Sequence, residues 1–328
     1  MKKAFSLIEV VFVLVILGIV ASISSQIIVQ VYENYILQKA IYKMSTRTEM
    51  VANQIVNLLT YRIDGTTISK DHKKFLDCKK YKIEYNTTTC IDEPTDNDWL
   101  PIEDVPTGGE KYTSVEWIGY DNDSFASHAT PNWSGVADYE NNASQAGFIT
   151  PASNLVNTAT IMSNLSNGRV DLTQSNPAAL LFIEDNNYYT GSQEYDPICM
   201  GLIQEMNSSS TECIFAVYAD SSNSFKFIND TSSKIITERY KLAWTAYTIA
   251  PEDADGDGDL DLVLYSNYQP WNGDNYLDSE TTKHILMKNV SVFKFSENGG
   301  VVRFKLCATE KIAEDNNIST CKEKVVIR

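Results

Sequence analysis

Lys2-Lys3-Ala4-Phe5-Ser6-Leu7-Ile8-Glu9 opens the chain, and Val10–Ile23 follows it as an apolar run. Of the twenty residues from Phe5 to Ser24, nineteen are uncharged, and the exception is Glu9. About twenty helical residues span roughly 30 Å, the thickness of a hydrocarbon core. The stretch therefore reads as a membrane helix with a carboxylate near its cytoplasmic end. An ionised carboxylate at mid-bilayer costs roughly 2.5–3.5 kcal/mol on insertion scales, and less near the edge, so Glu9 needs a reason. A plain anchor would carry Leu or Val there. A secretory signal peptide would place a small-x-small cut after the apolar run, where Ser22-Ile23-Ser24 stands. Neither alternative gives Glu9 a task.

The run Ala4-Phe5-Ser6-Leu7-Ile8-Glu9 resembles the processing site of type IV prepilins and type II secretion pseudopilins. The resemblance implies that a prepilin peptidase of the inner membrane removes residues 1–4 by cutting between Ala4 and Phe5. It implies N-methylation of the new terminus. It also implies that Glu9, the fifth mature residue, neutralises the terminal amine of a neighbouring subunit in a filament. Ala4 stands where the family usually has Gly. The likeness is close over the leader and the membrane stretch, and beyond them it is one of layout.

Charge sets the orientation. Lys2 and Lys3 directly precede the apolar run, and the next basic residue is Lys39. That asymmetry keeps the amino terminus in the cytoplasm and sends the rest to the periplasm or the outside. The chain of 328 residues has a net charge of −16, and loss of Lys2 and Lys3 makes it more negative by two. An acidic surface of this size disfavours nucleic acid and anionic lipid, so no nucleic-acid partner is expected. A hydrophobic fraction of 43% with five Trp supplies enough material for a sizeable core.

The helix is expected to continue beyond the membrane. Ile36, Ala40, Met44, Val51, Ile55, Leu58 and Leu59 recur mostly at helical spacing, and Asp64-Gly65 supplies a stop. No Pro interrupts Phe5–Asp64. The reading is a transmembrane helix over 5–28, a continuation into the head over 29–64, and an α+β head over 65–328. Within the head, 66–110 reads as irregular. The Asn- and Ser-rich 111–200 reads as a looped surface, with short strands at Ser114–Tyr120 and Ala178–Glu184 and an aromatic turn at Pro131–Gly135. Further strands are expected at Glu212–Ala219, Phe225–Ile228, Tyr240–Ile249, Leu260–Tyr265, Ser291–Phe295 and Val301–Leu306. Glu297-Asn298-Gly299-Gly300 is a hairpin turn, which puts Phe293, Phe295, Val302, Phe304 and Leu306 on one shared face.

Six cysteines fall in three sequential pairs: Cys78 and Cys90, Cys199 and Cys213, Cys307 and Cys321. Six cysteines allow fifteen connectivities. The even number, the close pairing and an exported compartment favour three local disulfides. The three His (His72, His128, His284) form no zinc-like pattern with them.

The second informative stretch is Asp253-Ala254-Asp255-Gly256-Asp257-Gly258-Asp259-Leu260-Asp261. Asp253, Asp255 and Asp257 stand at loop positions 1, 3 and 5 with Gly at 6. Asp259 can offer its carbonyl and Asp261 a further carboxylate. Leu264 stands where an EF-hand would place its bidentate Glu, so the loop is not a complete EF-hand. It looks more like the shortened calcium loops of integrin-type extracellular repeats, which run straight into a strand. Crowded carboxylates repel unless a cation sits among them, so a structural Ca²⁺ is expected.

No Gly-x-Ser-x-Gly, His-Glu-x-x-His or phosphate-cradling Gly loop is present, and no enzyme activity is expected. The resemblance implies a pilin-like α+β fold: a long amino-terminal helix packed on an antiparallel β-sheet with long loop insertions. It implies a subunit of a type IV pilus or type II secretion filament that meets other pilins or pseudopilins through this helix. Major pilins of the family are usually much shorter, and a wide head disturbs a repeating shaft. A minor subunit at the tip or in initiation is therefore expected, the alternative being a pilin-anchored adhesin.

Overall fold

The computed structural model describes residues 7–76, 98–106, 111–126, 131–138, 147–182, 200–202, 213–228, 236–313 and 316–327. Helix α1 (Leu7–Thr60) runs 54 residues without a break, about 81 Å at 1.5 Å per residue. Its buried positions are Met44, Thr48, Val51, Ala52, Ile55 and Leu59, one face at helical spacing. The anticipated stripe is thus buried from Met44 onward except at the half-buried Leu58, whereas Ile36 is exposed and Ala40 half-buried. The helix ends four residues before Asp64-Gly65. Tyr61 and Arg62 tighten its last turn by bonding back to the carbonyls of Leu58 and Leu59. The buried Arg62 guanidinium also donates to Leu59 O and, at 2.7 Å, to Gly300 O, fastening the helix end to a distant turn.

After α1 come β1 (Ile68–Lys70), β2 (Trp99–Pro101), β3 (Ser114–Gly119), β4 (Gly147–Ile149), helix α2 (Leu155–Ser166), β5 (Ala178–Phe182), β6 (Phe215–Ser221) and β7 (Ser224–Phe227). The chain continues through β8 (Tyr240–Ala243), β9 (Thr245–Glu252), β10 (Asp261–Tyr268), β11 (Thr282–Met287), β12 (Val290–Asn298), β13 (Val301–Ala313) and β14 (Asn316–Val326). Every strand pairing is antiparallel. Among the described residues the strands form three sheets: β11-β10-β9-β3-β1-β2, β12-β13-β14 and β4-β7-β6-β5-β8.

Alternation along the strands builds the layers. Val115 and Trp117 of β3 join Ile249, Leu262 and Leu264 in a core with α1 and with Phe293, Phe295, Val302, Phe304 and Leu306. The shared face expected for those last five residues is buried. Ile118, between Val115/Trp117 and the strand end, points to the opposite face of the six-stranded sheet. There it meets Ala246, Val263 and Tyr268, together with Ala179, Leu181 and Ala243 of the five-stranded sheet. The far face of the five-stranded sheet carries a third core of Phe182, Phe215, Phe225 and Tyr240, closed by Leu155 and Met162 of α2 and by Trp133. The order is α1 with the three-stranded sheet, then the six-stranded sheet, then the five-stranded sheet, then α2.

The five-stranded unit is an insertion between two paired strands. The chain leaves β3 at Gly119 and returns at Thr245, and these two residues are opposite each other in the β3–β9 ladder. Tyr240–Ile249 is therefore not one strand. It switches sheets at Trp244, with β8 pairing β5 and β9 pairing β3. At the far end, Gly299 and Gly300 form the β12–β13 turn with φ of 59° and 78°, the left-handed pair that a two-residue hairpin needs.

Candidate assembly helix and acidic loop

Among the described residues, nothing packs on the first half of α1. An 18-residue window of mean hydropathy 2.8 has no buried share, and Leu7, Phe12, Leu14 and Leu17 are all more than half exposed. Apolar surface on this scale calls for a covering outside the chain, from a bilayer or other helices. Glu9 lies in the first turn of α1, exposed with its neighbours. The partial positive charge of a helix start favours a carboxylate there by about 0.3–1 kcal/mol, which offsets only part of its cost in hydrocarbon. Ala4 and Phe5 lie outside the described residues.

The acidic loop joins β9 to β10 at a sheet end. Asp253, Asp255 and Asp257 each bring a carboxylate oxygen within 4.8 Å of the other two, all exposed. Asp259 and Asp261 stand outside that trio. The loop is folded by its own carboxylates. Gly256 N–H donates to Asp253 Oδ1 at 2.8 Å and Gly258 N–H to Asp253 Oδ2 at 3.2 Å, while Asp259 N–H donates to Asp257 Oδ1 at 2.9 Å. Gly256 and Gly258 take φ of 80° and 91°, where a side chain would be strained. Lys288, from the corner between β11 and β12, sets its ammonium on Asp255. That bond holds the Asp255 carboxyl below the usual range and raises Lys288 in turn.

Asp261 differs from the trio. Its relative exposure is 2%, its Oδ1 accepts from Asn289 N–H at 3.3 Å, and its Oδ2 is buried without a hydrogen-bond partner. Burial pushes its carboxyl up, and the charges of Asp255 and Asp257 add to that push. The converging donors are the carboxylate oxygens of Asp253, Asp255 and Asp257, and the orphaned Asp261 oxygen is not one of them. Such a trio fits a hard cation with many oxygen ligands, such as Ca²⁺, better than a soft or nitrogen-seeking metal.

The cysteines divide by description. Cys307 and Cys321 face each other across β13 and β14 and are joined, as the sequential pairing expects. Cys213 is disulfide-bonded. Cys78, Cys90 and Cys199 lie outside the described residues, as does His128.

A buried polar layer escaped the sequence reading. Lys70 of β1 pairs with Glu116 of β3, both essentially buried, and donates to Leu202 O at 2.5 Å. Tyr268 donates to Glu116 Oε1 at 2.8 Å. Beside them, Glu252 accepts from Tyr265 at 2.7 Å, stands 3.2 Å from His72, and pairs with Lys283. Burial raises the Glu252 carboxyl, but the bonds from His72, Lys283 and Tyr265 outweigh it and hold it at about 2. Asp121 shows the opposite balance at the entry to the inserted layer. It accepts from Ser124 N–H at 3.1 Å and from the Trp133 indole at 3.1 Å. With no cation in those bonds, burial pushes its carboxyl up to about 7. Trp133 is the expected aromatic anchor of Pro131–Gly135, stacked on Tyr240 and in tilted contact with Phe125.

Residues 1–25 match the prokaryotic N-terminal methylation motif. No curated protein and no solved structure matches the chain.

Proposed function

We propose that this chain, which carries the amino-terminal methylation motif of type IV prepilins and pseudopilins, is a minor subunit of a pilus or type II secretion filament, acting at the tip or in initiation. The observation that carries the reading is a methylation motif at the head of a 54-residue helix whose apolar half has no partner among the described residues. Such a surface supports membrane insertion first and packing among other pilin helices afterwards. Processing falls between Ala4 and Phe5, and Glu9 then pairs with a neighbouring subunit's new amine. The head over 65–328 faces the periplasm and later the cell surface. Three stacked sheets make it wide, and this supports a terminal place over a place in a repeating shaft.

Calcium is the cation proposed for the acidic loop, held by Asp253, Asp255, Asp257 and Asp261 with the Asp259 carbonyl. Its role is structural, to fix the β9–β10 connection. A second reading, a pilin-anchored adhesin, is favoured by one feature: the five-stranded insertion has its own core and joins the pilin-like part between two paired strands.

Two measurements test the proposal. Mass spectrometry of membrane-extracted protein should show an amino-terminal methyl-Phe at position 5, whereas a mature chain beginning after Ser24 would overturn the processing. Deletion should abolish filament assembly. Normal filaments lacking only attachment would favour the adhesin.

A further inference from the structure

We propose that Lys70 and Glu116 condense into an amide, a covalent crosslink that the chain forms by itself between β1 and β3. Both side chains are out of solvent, with exposures of 0% and 2%. The register sets Ile68 opposite Glu116 and Lys70 opposite Ser114, so the two are diagonal neighbours on one face of the sheet. Lys70 Nζ lies against Glu116 Oε2, yet that oxygen accepts no hydrogen bond. The nitrogen is oriented from elsewhere. It donates to Leu202 O at 2.5 Å, and the ring centroids of Phe75 and Tyr276 stand 5.1 and 5.3 Å from it. The other carboxylate oxygen, Oε1, accepts from the Tyr268 hydroxyl at 2.8 Å. An amine, a carboxyl and a donor on the carbonyl oxygen thus meet in one dry place.

A charged pair is costly there. Burial holds the Lys70 amine below its usual range, and a lysine so desolvated is a nucleophile. A proton passed from Nζ to Oε2 leaves an amine and a carboxylic acid, with no charge to desolvate. The Nζ lone pair then adds to Glu116 Cδ, and the Tyr268 hydroxyl stabilises the charge that develops on Oε1. One Nζ proton moves to the Oε2 hydroxyl, the Cδ–Oε2 bond breaks, and water leaves. The Nζ–Cδ bond takes the place of the Cδ–Oε2 bond. Nothing is oxidised or reduced, and no co-reactant is needed. The link falls at a weak joint. Along the chain, a pull on α1 reaches the six-stranded sheet through β1, whose ladder to β3 spans three residue pairs. An amide at Lys70 carries load that this short ladder does not.

The test is mass spectrometry of the full-length protein, extracted in detergent, reduced, alkylated and digested with trypsin. Wild type should yield a branched peptide in which Lys70 is joined to Glu116, uncut after Lys70 and lighter by one water than its two linear parts together. Glu116→Gln should give the same branched peptide at the same mass, because ammonia leaves in place of water. Lys70→Arg and Glu116→Ala should give linear peptides. Tyr268→Phe should form the link roughly a hundredfold more slowly, the cost of removing one oxyanion donor, read as the linked fraction against time after a pulse of synthesis. Should the substitutions at Lys70 or Glu116 prevent folding, the wild-type digest decides alone. Lys70 and Glu116 recovered only in linear peptides from folded wild type would overturn the crosslink and leave a buried ion pair. A branch from Lys70 to any other carboxylate would overturn the pairing. A link formed as fast in Tyr268→Phe as in wild type would overturn the part given to Tyr268.

Discussion

Glu9 and the loop Asp253–Asp261 carry negative charge in opposite surroundings. Glu9 is one acid in an apolar stretch of α1, and no Lys or Arg follows it until Lys39. Those thirty residues of helix are about 45 Å, far beyond any pairing distance. The loop gathers five acids in nine residues in water, and its own chain sends Lys288 to one of them. The contrast teaches where a charge must find its partner. In water a lysine from the same chain is cheap to hold and cheap to lose. In hydrocarbon the folded chain offers Glu9 no partner among the described residues, and under the proposed function a neighbouring subunit's amine takes that place. One arrangement suits a replaceable metal, and the other suits a subunit contact.

The largest expected effect breaks the Glu9 side of that contrast. Glu9→Val should leave the protein cleaved, methylated and inserted, since Val costs nothing in hydrocarbon. It should be absent from sheared filaments, because the pairing that selects it is gone. Immunoblotting of sheared and membrane fractions separates the two steps. Normal incorporation would mean that Glu9 carries its cost for no reason.

Two buried carboxylates sharpen the same contrast inside the head. Asp121 is held by neutral donors and titrates at about 7, above its usual 3.8. Between those values the native state keeps a proton that the unfolded chain has lost, so stability should fall as pH rises from about 4 to 7. Asp121→Asn should flatten that fall and stabilise the protein at pH 8, by at most on the order of 4 kcal/mol. Glu252 is held by His72, Lys283 and Tyr265 and titrates at about 2. Its contribution should be present above pH 4.5 and be lost as pH falls toward 2, so Glu252→Gln should remove an acid-side loss instead. Denaturant titrations of the full chain across pH check both signs. Slopes of the same sign for the two variants would contradict the assignment.

How much of this was legible beforehand follows from how local each signal is. The apolar run, Glu9 and the helical stripe from Met44 are one-dimensional patterns, and α1 follows them. Gly299-Gly300 and the alternation of Phe293, Phe295, Val302, Phe304 and Leu306 are nearly as local, and the β12–β13 hairpin follows too. The acidic loop was readable as a trio from its spacing. Other features were not. Tyr240–Ile249 is mostly apolar, aromatic or β-branched, with no Gly or Pro, so nothing in its pattern marks the corner at Trp244. Helix α2 has no charged residue and is rich in Asn, Ser and Thr, residues that favour loops. It holds because Asn154 caps its start, accepting from Asn157 N–H, and Asn167 ends it in a left-handed turn. Lys70 sits in a three-residue strand and meets Glu116 only through β1–β3 register, a fact of topology with no local signature. Lys288 is likewise brought to Asp255 from 33 residues away.

The smallest expected effect concerns the loop itself. Calcium that binds only the native chain stabilises it by about 2.7 kcal/mol at a hundredfold excess over Kd. The full chain in detergent should therefore melt higher in calcium than in chelator. Asp255→Ala combined with Asp257→Ala should abolish the gain, since two of the three converging carboxylates disappear. The same double variant leaves Lys288 without its partner, so in chelator it should lose little, because an exposed ion pair is screened by solvent. The disulfide Cys307–Cys321 lowers the sensitivity of melting, because it constrains the unfolded chain whether or not metal is bound. Hydrogen exchange at Glu252–Asp261 and at Asn289 reads the local change directly, and protection there should rise with calcium. If calcium changes neither melting nor exchange at these residues, the loop is an acidic turn neutralised by Lys288 alone. The contrast with Glu9 would then be between two different amines, with no metal on either side.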